Sequence, residues 1–199
     1  MKASAARTAK TKPKRLLAID TSASPGFAVI EYGGSKPASL VYTDAFPTDT
    51  SLSDAERFEV VRSATALICY QHGPFDVVVR EHFIKGGSKR GTQLVFGGWA
   101  AVDMALKAFG YTISEDDEIT PGEVKKALTG KGNAPKTRKE AEERKRKGKS
   151  VDLEFSVEDG VRLVLDLPED FEFPNNKGGD ASDAAAIGIA YLKREGAIE

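Results

Sequence analysis

Apolar positions along the chain first follow a strand pattern and later a helical one. Short apolar runs bounded by turn residues predict strands, and the first three, joined by short turns, predict an antiparallel meander. From Ser53 onward, apolar residues recur at helical spacing, which predicts a helix with Ser53 or Asp54 as its N-cap. The predicted strands cover residues 16–20, 26–32, 38–43, 76–80 and 111–114.

The helical pattern alternates with the later strands. A long predicted helix contains Gly97 and Gly98, where it is either broken or closely packed. Thr120 and Glu123 fit a capping box, with Pro121 at the first helical position. The order βββαβαβα indicates an α/β domain on a mixed five-stranded sheet. Beyond the helix that starts at residue 53 or 54, the predicted helices cover residues 90–109, 121–128, 156–168 and 181–194.

Charge is distributed unevenly, although the net charge of the 199 residues is only −1. Residues 1–14 form a basic tail without periodicity, which is typical of a disordered segment, and residues 15–199 are predicted to form one domain. Residues 125–149 hold eleven Lys or Arg against three Glu, whereas residues 150–183 hold ten Asp or Glu against two basic residues. Such blocks are typical either of polyanion-binding surfaces or of solvated loops.

Cysteine content and hydropathy limit the cellular setting. A single cysteine, Cys69, excludes an internal disulfide framework and a cysteine-based zinc cluster. The longest apolar stretches are too short for a membrane span, and the N-terminus lacks the apolar core of a secretory signal. We therefore expect a cytoplasmic protein, in the host cytoplasm if a phage encodes it.

Four carboxylates are placed where they could meet. Asp20 ends the first apolar strand and Glu81 ends the strand at VVVRE. In an open α/β sheet, binding sites form beyond the carboxyl ends of central strands. Asp180 and Asp183 are three positions apart, so both can project from one side of the start of the last helix. If that helix packs on the sheet, the four carboxylates converge.

Converging carboxylates repel one another, and a pair of divalent cations would remove that penalty. Oxygen ligands without His or Cys favour Mg²⁺ or Mn²⁺, and two such ions suit phosphodiester hydrolysis. Each acid also has a structural explanation. Asp180 or Asp183 could cap the helix, Asp20 could start a turn, and Glu81 could pair with Arg80 or a nearby Lys. The combination of two strand ends with the three-residue spacing favours the metal site.

With these residues, the chain resembles the RuvC family of Holliday junction resolvases, which have a ribonuclease H-like fold. The stretches LLAIDTSASPGFAVIE, DVVVREHF and GDASDAAAIGIAYL stand in the family's order. KKALTGKGNAPK, residues 125–136, is similar to the family's stretch with one Lys before a Gly-x-Gly turn and another after it. The resemblance extends over about residues 15–136 and 157–194.

The resemblance implies a homodimeric endodeoxyribonuclease that cuts four-way DNA junctions symmetrically, with two Mg²⁺ per site that Mn²⁺ could replace. It implies that the catalytic and metal-binding residues are Asp20, Glu81, Asp180 and Asp183. The DNA contacts expected on this basis and from the basic segment are Lys125, Lys136, Phe83, Arg138 and Lys139.

The chain also departs from the family pattern. Thr-Ser-Ala-Ser follows Asp20 where the family has Pro-Gly-Ser. Phe83 lies one position before the family's stacking aromatic, whose place holds Ile84, and a core position is the alternative for Phe83. The charged residues 137–156 form an insertion that could be an added DNA-binding arm, and residues 136–149 could be either a helix or a mobile basic arm. These departures indicate a divergent member, such as a phage-type enzyme.

Two further residues have simpler explanations. His82 adjoins Glu81, but side chains alternate along a strand, so His82 should face away from the acids. Trp99 is expected in the core or at a dimer interface.

Three other functions stay open. One is a ribonuclease H-like enzyme acting on other branched DNA or on structured RNA. Another follows from LLAIDTSAS, which also resembles the opening of actin-like ATPases and sugar kinases, although the second copy of the motif that those proteins need is missing. The third, a catalytically inactive DNA-binding scaffold, fits poorly with the presence of all four acids.

Overall fold

The computed structural model describes residues 12–22, 24–82, 88–132, 135–136, 138–148, 156–176 and 180–199. The strands described are β1 (Lys14–Asp20), β2 (Gly26–Tyr32), β3 (Ser39–Ala45), β4 (Val77–Glu81) and β5 (Glu118–Ile119). The α-helices described are α1 (Asp54–His72), α2 (Lys89–Ala108), α3 (Pro121–Thr129), α4 (Arg138–Arg146), α5 (Val157–Val164) and α6 (Asp180–Arg194), and a 3₁₀ turn covers Glu115–Asp117.

The five strands form one mixed sheet in the order β3-β2-β1-β4-β5. The pairs β1–β2 and β2–β3 are antiparallel, whereas β1–β4 and β4–β5 are parallel. The predicted meander and the mixed α/β sheet are therefore confirmed. Central β1 is buried on both faces, which explains why its sequence is a continuous apolar run.

Alternate residues of β1 pack into two separate hydrophobic cores, because neighbouring side chains of a strand point to opposite faces of the sheet. Leu16 and Ala18 pack into the core that contains α6, α3 and α5. Leu17 and Ile19 pack into the core formed with α1 and α2.

Small residues let α6 lie close to the sheet. The alanines of its first two turns are buried, and a Cβ added at Gly188 would lie 2.8 Å from Ile30 Cδ1 and 3.0 Å from Leu16 Cδ2. A larger residue at this position would push the helix away from β1 and β2, and with it the start of the helix.

The glycine pair in α2 reflects close packing, because the helix runs without interruption through Gly97 and Gly98. A Cβ at Gly97 would lie 2.1 Å from Cζ of Phe58 in α1. The absence of a side chain at this position therefore lets the two helices cross at short range.

The strand predicted at residues 111–114 is wrong, because the fifth strand is β5 at residues 118–119. Residues of the predicted segment make other contacts instead of pairing in the sheet. Ser114 and Asp117 form a capping box for the 3₁₀ turn, and the Tyr111 hydroxyl accepts a hydrogen bond from the Phe75 backbone N–H. Ile113 packs against the core of α1 and α2 instead of entering the sheet.

Smaller differences concern element boundaries. β1 begins at Lys14, so the strand includes the last residue assigned to the basic tail, and residues 1–11 lie outside the described residues. Of the charged insertion, residues 138–146 are helical. None of the helices described is long and apolar enough to cross a membrane.

Candidate active site

Asp20 and Glu81 end neighbouring parallel strands. Ile19 of β1 lies opposite Arg80 of β4, so the two acids that follow lie side by side at the carboxyl edge of the sheet. Asp20 is only 7% exposed, and Glu81 is half-buried. The sequence brings two carboxylates to this edge because both strands are central and run in the same direction.

Asp180 and Asp183 lie in the first turn of α6, which rests on the ends of β2 and β3. Gly26 pairs with Asp20 across β1 and β2, and a Cβ at Gly26 would lie 1.9 Å from the Asp180 carbonyl oxygen. The buried Thr43 hydroxyl of β3 donates a hydrogen bond of 3.0 Å to the Ala181 carbonyl oxygen. These contacts fix the start of α6 over the strand ends.

Asn176 also holds this first turn. Its Oδ1 accepts a hydrogen bond of 3.1 Å from the Ser182 backbone N–H, and its Nδ2 lies 3.2 Å from Ser182 Oγ. The sequence analysis missed Asn176, Gly26 and Thr43 as positioning residues. An Asn shortly before a helix start is a usable signal, because Asn side chains commonly satisfy the free N–H groups there.

Electrostatics join the four acids. Burial raises the pKa of Asp20 well above its ordinary value, and the charges of Asp183, Glu81 and Asp180 raise it further. Burial likewise raises the pKa values of Glu81, Asp180 and Asp183. The carboxylates are thus close enough to repel one another, as expected for acids at one sheet edge.

Lys136 contributes a positive charge to this group of acids. Its Nζ lies 2.5 Å from Asp183 Oδ2. Burial lowers the pKa of Lys136, but the charges of Asp183, Asp20 and Glu81 more than offset this effect, so the net shift is upward. Lys136 therefore remains charged and partly neutralises the acids.

A depression at the same sheet edge is bordered by two of the four acids and by two lysines. Lys125, in α3, is placed by the capping box of Thr120 and Glu123 at the start of that helix. The depression is lined by Glu81, Asp183, Lys125 and Lys136 and by the apolar side chains of Pro121, Val124 and Val157.

The donor set suits a hard divalent cation, since it consists of carboxylate oxygens. In their present side-chain conformations, no three His, Cys, Asp or Glu residues among those described are arranged to hold a metal ion. One oxygen of Asp183, Oδ2, is already engaged by the Lys136 ammonium.

The remaining predicted DNA contacts are Arg138, Lys139 and Phe83. Arg138 begins α4, and Lys139 of the same helix is exposed to solvent. Phe83 lies outside the described residues.

The opposite face of β4 carries a separate polar group. Arg80 is 7% exposed, forms ion pairs with Asp103 and Glu118, and has its guanidinium carbon 3.9 Å from the centre of the Trp99 ring. The suggestion that Glu81 pairs with Arg80 is therefore wrong, because Arg80 is held by partners on the other face. His82 also points there, with its Nδ1 2.6 Å from Glu118 Oε2.

A mixed five-stranded sheet with this strand order and flanking helices is a ribonuclease H-like fold. Two solved structures of Thermus thermophilus RuvC share the fold. One, "Thermus thermophilus RuvC structure", has a TM-score of 0.65 at 20% identity and covers 93% of this chain and 98% of its own. The other, "T. thermophilus RuvC in complex with Holliday junction substrate", has a TM-score of 0.69 at 21% identity, covering 94% and 98%.

Sequence comparison supplies the family. The family model "Crossover junction endodeoxyribonuclease RuvC" matches residues 16–141. Two proteins of that description are similar to this chain. The one from Rhodopseudomonas palustris strain TIE-1 is 27% identical over 94% of this chain and 92% of its own length. The one from Alkalilimnicola ehrlichii is 31% identical over 61% of this chain and 71% of its own length. The chain belongs to the RuvC family, whose nucleases are metal-dependent. The family match covers residues 16–141, whereas the likeness to actin-like ATPases and sugar kinases is limited to LLAIDTSAS, so we assign the chain to the RuvC family.

Proposed function

We propose that this chain is a crossover junction endodeoxyribonuclease that resolves four-way (Holliday) DNA junctions by metal-dependent phosphodiester hydrolysis, a reaction of DNA recombination and repair. The observation that carries the proposal is the buried Asp20 carboxylate. Three further acids act on it at the sheet edge, within a chain that belongs to the RuvC family.

The acids Asp20, Glu81, Asp180 and Asp183 would hold two Mg²⁺ ions, which Mn²⁺ could replace. Bound divalent cations supply an activated water and stabilise the leaving oxygen of an in-line displacement. The sheet fixes Asp20 and Glu81. The contacts that Gly26, Thr43 and Asn176 make with α6 fix the two aspartates at the start of that helix. The chain thereby presents oxygen ligands from two directions.

Basic residues next to the acids would bind the DNA backbone. Lys125 and Lys136 border the depression and would contact the scissile phosphate or its neighbours. Arg138 and Lys139 would extend these contacts along α4, and Phe83 would stack on a base near the branch point. Contacts to phosphates position the DNA without reading its sequence, and their strength falls as salt rises.

A homodimer with two such sites would cut opposing strands of one junction symmetrically. The Thermus thermophilus RuvC structure in complex with a Holliday junction substrate supports this class of partner.

Cleavage of a defined set of substrates tests the proposal. The full chain is incubated with Mg²⁺ or EDTA and with an end-labelled immobile four-way junction, a flap, a duplex or an RNA–DNA hybrid. Paired symmetric nicks, found only in the junction and only with Mg²⁺, are expected. Equal cleavage of the flap or the hybrid would indicate a broader ribonuclease H-like nuclease instead.

A further inference from the structure

The backbone of Lys136 is anchored, so its ammonium is brought to the acids by a fixed framework. The Lys136 carbonyl accepts a hydrogen bond of 3.0 Å from the Glu158 N–H, and the preceding Pro135 carbonyl accepts one of 2.9 Å from Val157. The Lys136 N–H donates to Glu140 Oε2 of α4 at 2.8 Å. The side chain is therefore the part of this residue that can move most easily.

At its tip, the ammonium contacts one acid and influences three more. It forms an ion pair with Asp183, whose side chain is 9% exposed, while the Lys136 side chain itself is 43% exposed. Its charge also acts on Asp20, Glu81 and Asp180. A single lysine thus offsets part of the repulsion within the acid group and still reaches solvent.

We propose that Lys136 is an internal counter-ion of the acid group: it competes with a divalent cation for Asp183 and is transferred to a DNA phosphate when the cation binds. This inference rests on the proposed function, because it assigns a metal to the same acids and DNA to the same depression.

Simple electrostatics favour the exchange. A lysine ammonium is a compact point charge, and it repels a divalent cation that binds the same carboxylate oxygen. The flexible four-carbon stem lets the charge swing outward while the backbone stays bound to α4 and α5. A DNA phosphate at the mouth of the depression would offer the displaced ammonium a new partner.

Coupling between the two ligands follows. If DNA draws Lys136 away from Asp183, DNA tightens binding of the cation, and the cation must tighten binding of DNA by the same factor. Lys136 would in this way favour binding of the cation only when a DNA phosphate is in place.

Lys125 provides a matched control. It borders the same depression and acts on Glu81 and Asp183 through space, but the direct ion pair with Asp183 belongs to Lys136. Lys125→Met and Lys136→Met each remove one positive charge and keep a side chain of similar length.

Calorimetric titration of the full chain with Mn²⁺, without DNA, tests the exchange. A close opposite charge alters a carboxylate's affinity for a cation by one to three powers of ten, so Lys136→Met should bind Mn²⁺ about tenfold or more tightly than the original chain. Lys125→Met should change the affinity by less than about threefold, since its charge acts at longer range. Unchanged or weaker binding by Lys136→Met overturns the inference.

A second measurement adds DNA to the original chain and to Lys136→Met. A short DNA duplex, added as a source of phosphates, should tighten Mn²⁺ binding by the original chain, and this gain should disappear in Lys136→Met. If Lys136→Met does not fold, as judged by circular dichroism, the effect of the duplex on the original chain decides, and its absence contradicts the exchange.

Junction cleavage by the original chain, measured in parallel, separates the two claims. A chain that cleaves junctions while Lys136→Met shows no gain in affinity disproves the exchange alone. A chain that does not cleave junctions while Lys136→Met binds Mn²⁺ more tightly disproves the proposed function and leaves the exchange standing.

Discussion

The backbone of Gly26 lies against the carbonyl group of Asp180, so closely that a Cβ at residue 26 would stand 1.9 Å from the Asp180 oxygen. Gly26 is also the partner of Asp20 in the β1–β2 ladder. One glycine thus sets the distance between the acid that ends β1 and the acid that begins α6.

Replacing Gly26 with Ala should displace the start of α6 and reduce junction cleavage by about a hundredfold or more, because a shift of about 1 Å at reacting groups has effects of that size. The free energy of unfolding should fall by about 1–3 kcal/mol, as for other overpacked sites. Initial cleavage rates and urea unfolding measure the two effects.

Gly122→Ala is the matched control, since a Cβ there would meet no heavy atom within 4 Å among the described residues. It should cleave normally. Equal cleavage by Gly26→Ala and Gly122→Ala would show that the approach of α6 to β2 does not position the acids.

Asp20 should lower stability at neutral pH, since burial and the neighbouring acids raise its pKa in the folded chain. An acid whose pKa is raised on folding contributes stability below its unfolded pKa, and this contribution is lost as pH rises through its folded pKa. In EDTA, the melting temperature of the original chain should therefore fall as pH rises above the ordinary range of an Asp.

Asp20→Asn removes this charge, so it should raise the free energy of unfolding in EDTA at neutral pH by on the order of 1 kcal/mol and flatten the pH dependence. Thermal unfolding at several pH values measures both effects. A variant that is less stable than the original chain at neutral pH, with an unchanged slope, would contradict the electrostatic account of the site.

His82 should be dispensable for cleavage, although it adjoins Glu81. Its ring is bonded to Glu118 on the opposite face of β4 from the acids. Because the ring lies on that face, His82→Gln should keep junction cleavage within about threefold. Removal of a general acid or base would reduce the rate by about a hundredfold or more. A larger loss in a steady-state cleavage assay would place His82 in the reaction.

Arg80 should matter for stability, since it is buried between two carboxylates. Removing one partner of a buried ion pair leaves an uncompensated charge, here on Glu118, whose side chain is 10% exposed. Arg80→Met should lower the free energy of unfolding by about 2–4 kcal/mol, measured by urea denaturation. Arg62→Met, which breaks an exposed ion pair with Glu59, should change it by less than about 1 kcal/mol.

The sequence predicts the parts of the fold that depend on local patterns. β1, β2 and β4 are apolar runs between turn residues, and the acids that end β1 and β4 necessarily lie at the same sheet edge once these strands are parallel. Residues 111–114 share the apolar pattern, but Ser114 caps a local 3₁₀ turn and Tyr111 binds the distant Phe75 N–H, and a pattern of apolar positions reveals neither contact.

The sequence does not predict contacts that depend on distant anchoring. Lys136 reaches Asp183 because α5 holds residues 135–136, and Val157 and Glu158 are about twenty positions away. The close approach of Gly26 to Asp180 likewise joins segments more than 150 positions apart and needs the complete packing of α6 on the sheet.

The most direct measurement compares Asp20→Asn with the original chain on a labelled immobile four-way junction in Mg²⁺, with Asp49→Asn, in an exposed loop, as the control. Asp20→Asn should bind the junction with an unchanged Kd and cleave it at least about a thousandfold more slowly, since a carboxylate that organises the reacting groups is lost. Asp49→Asn should bind and cleave normally. Paired nicks produced by Asp20→Asn at the rate of the original chain would contradict the assignment of the catalytic centre to these acids.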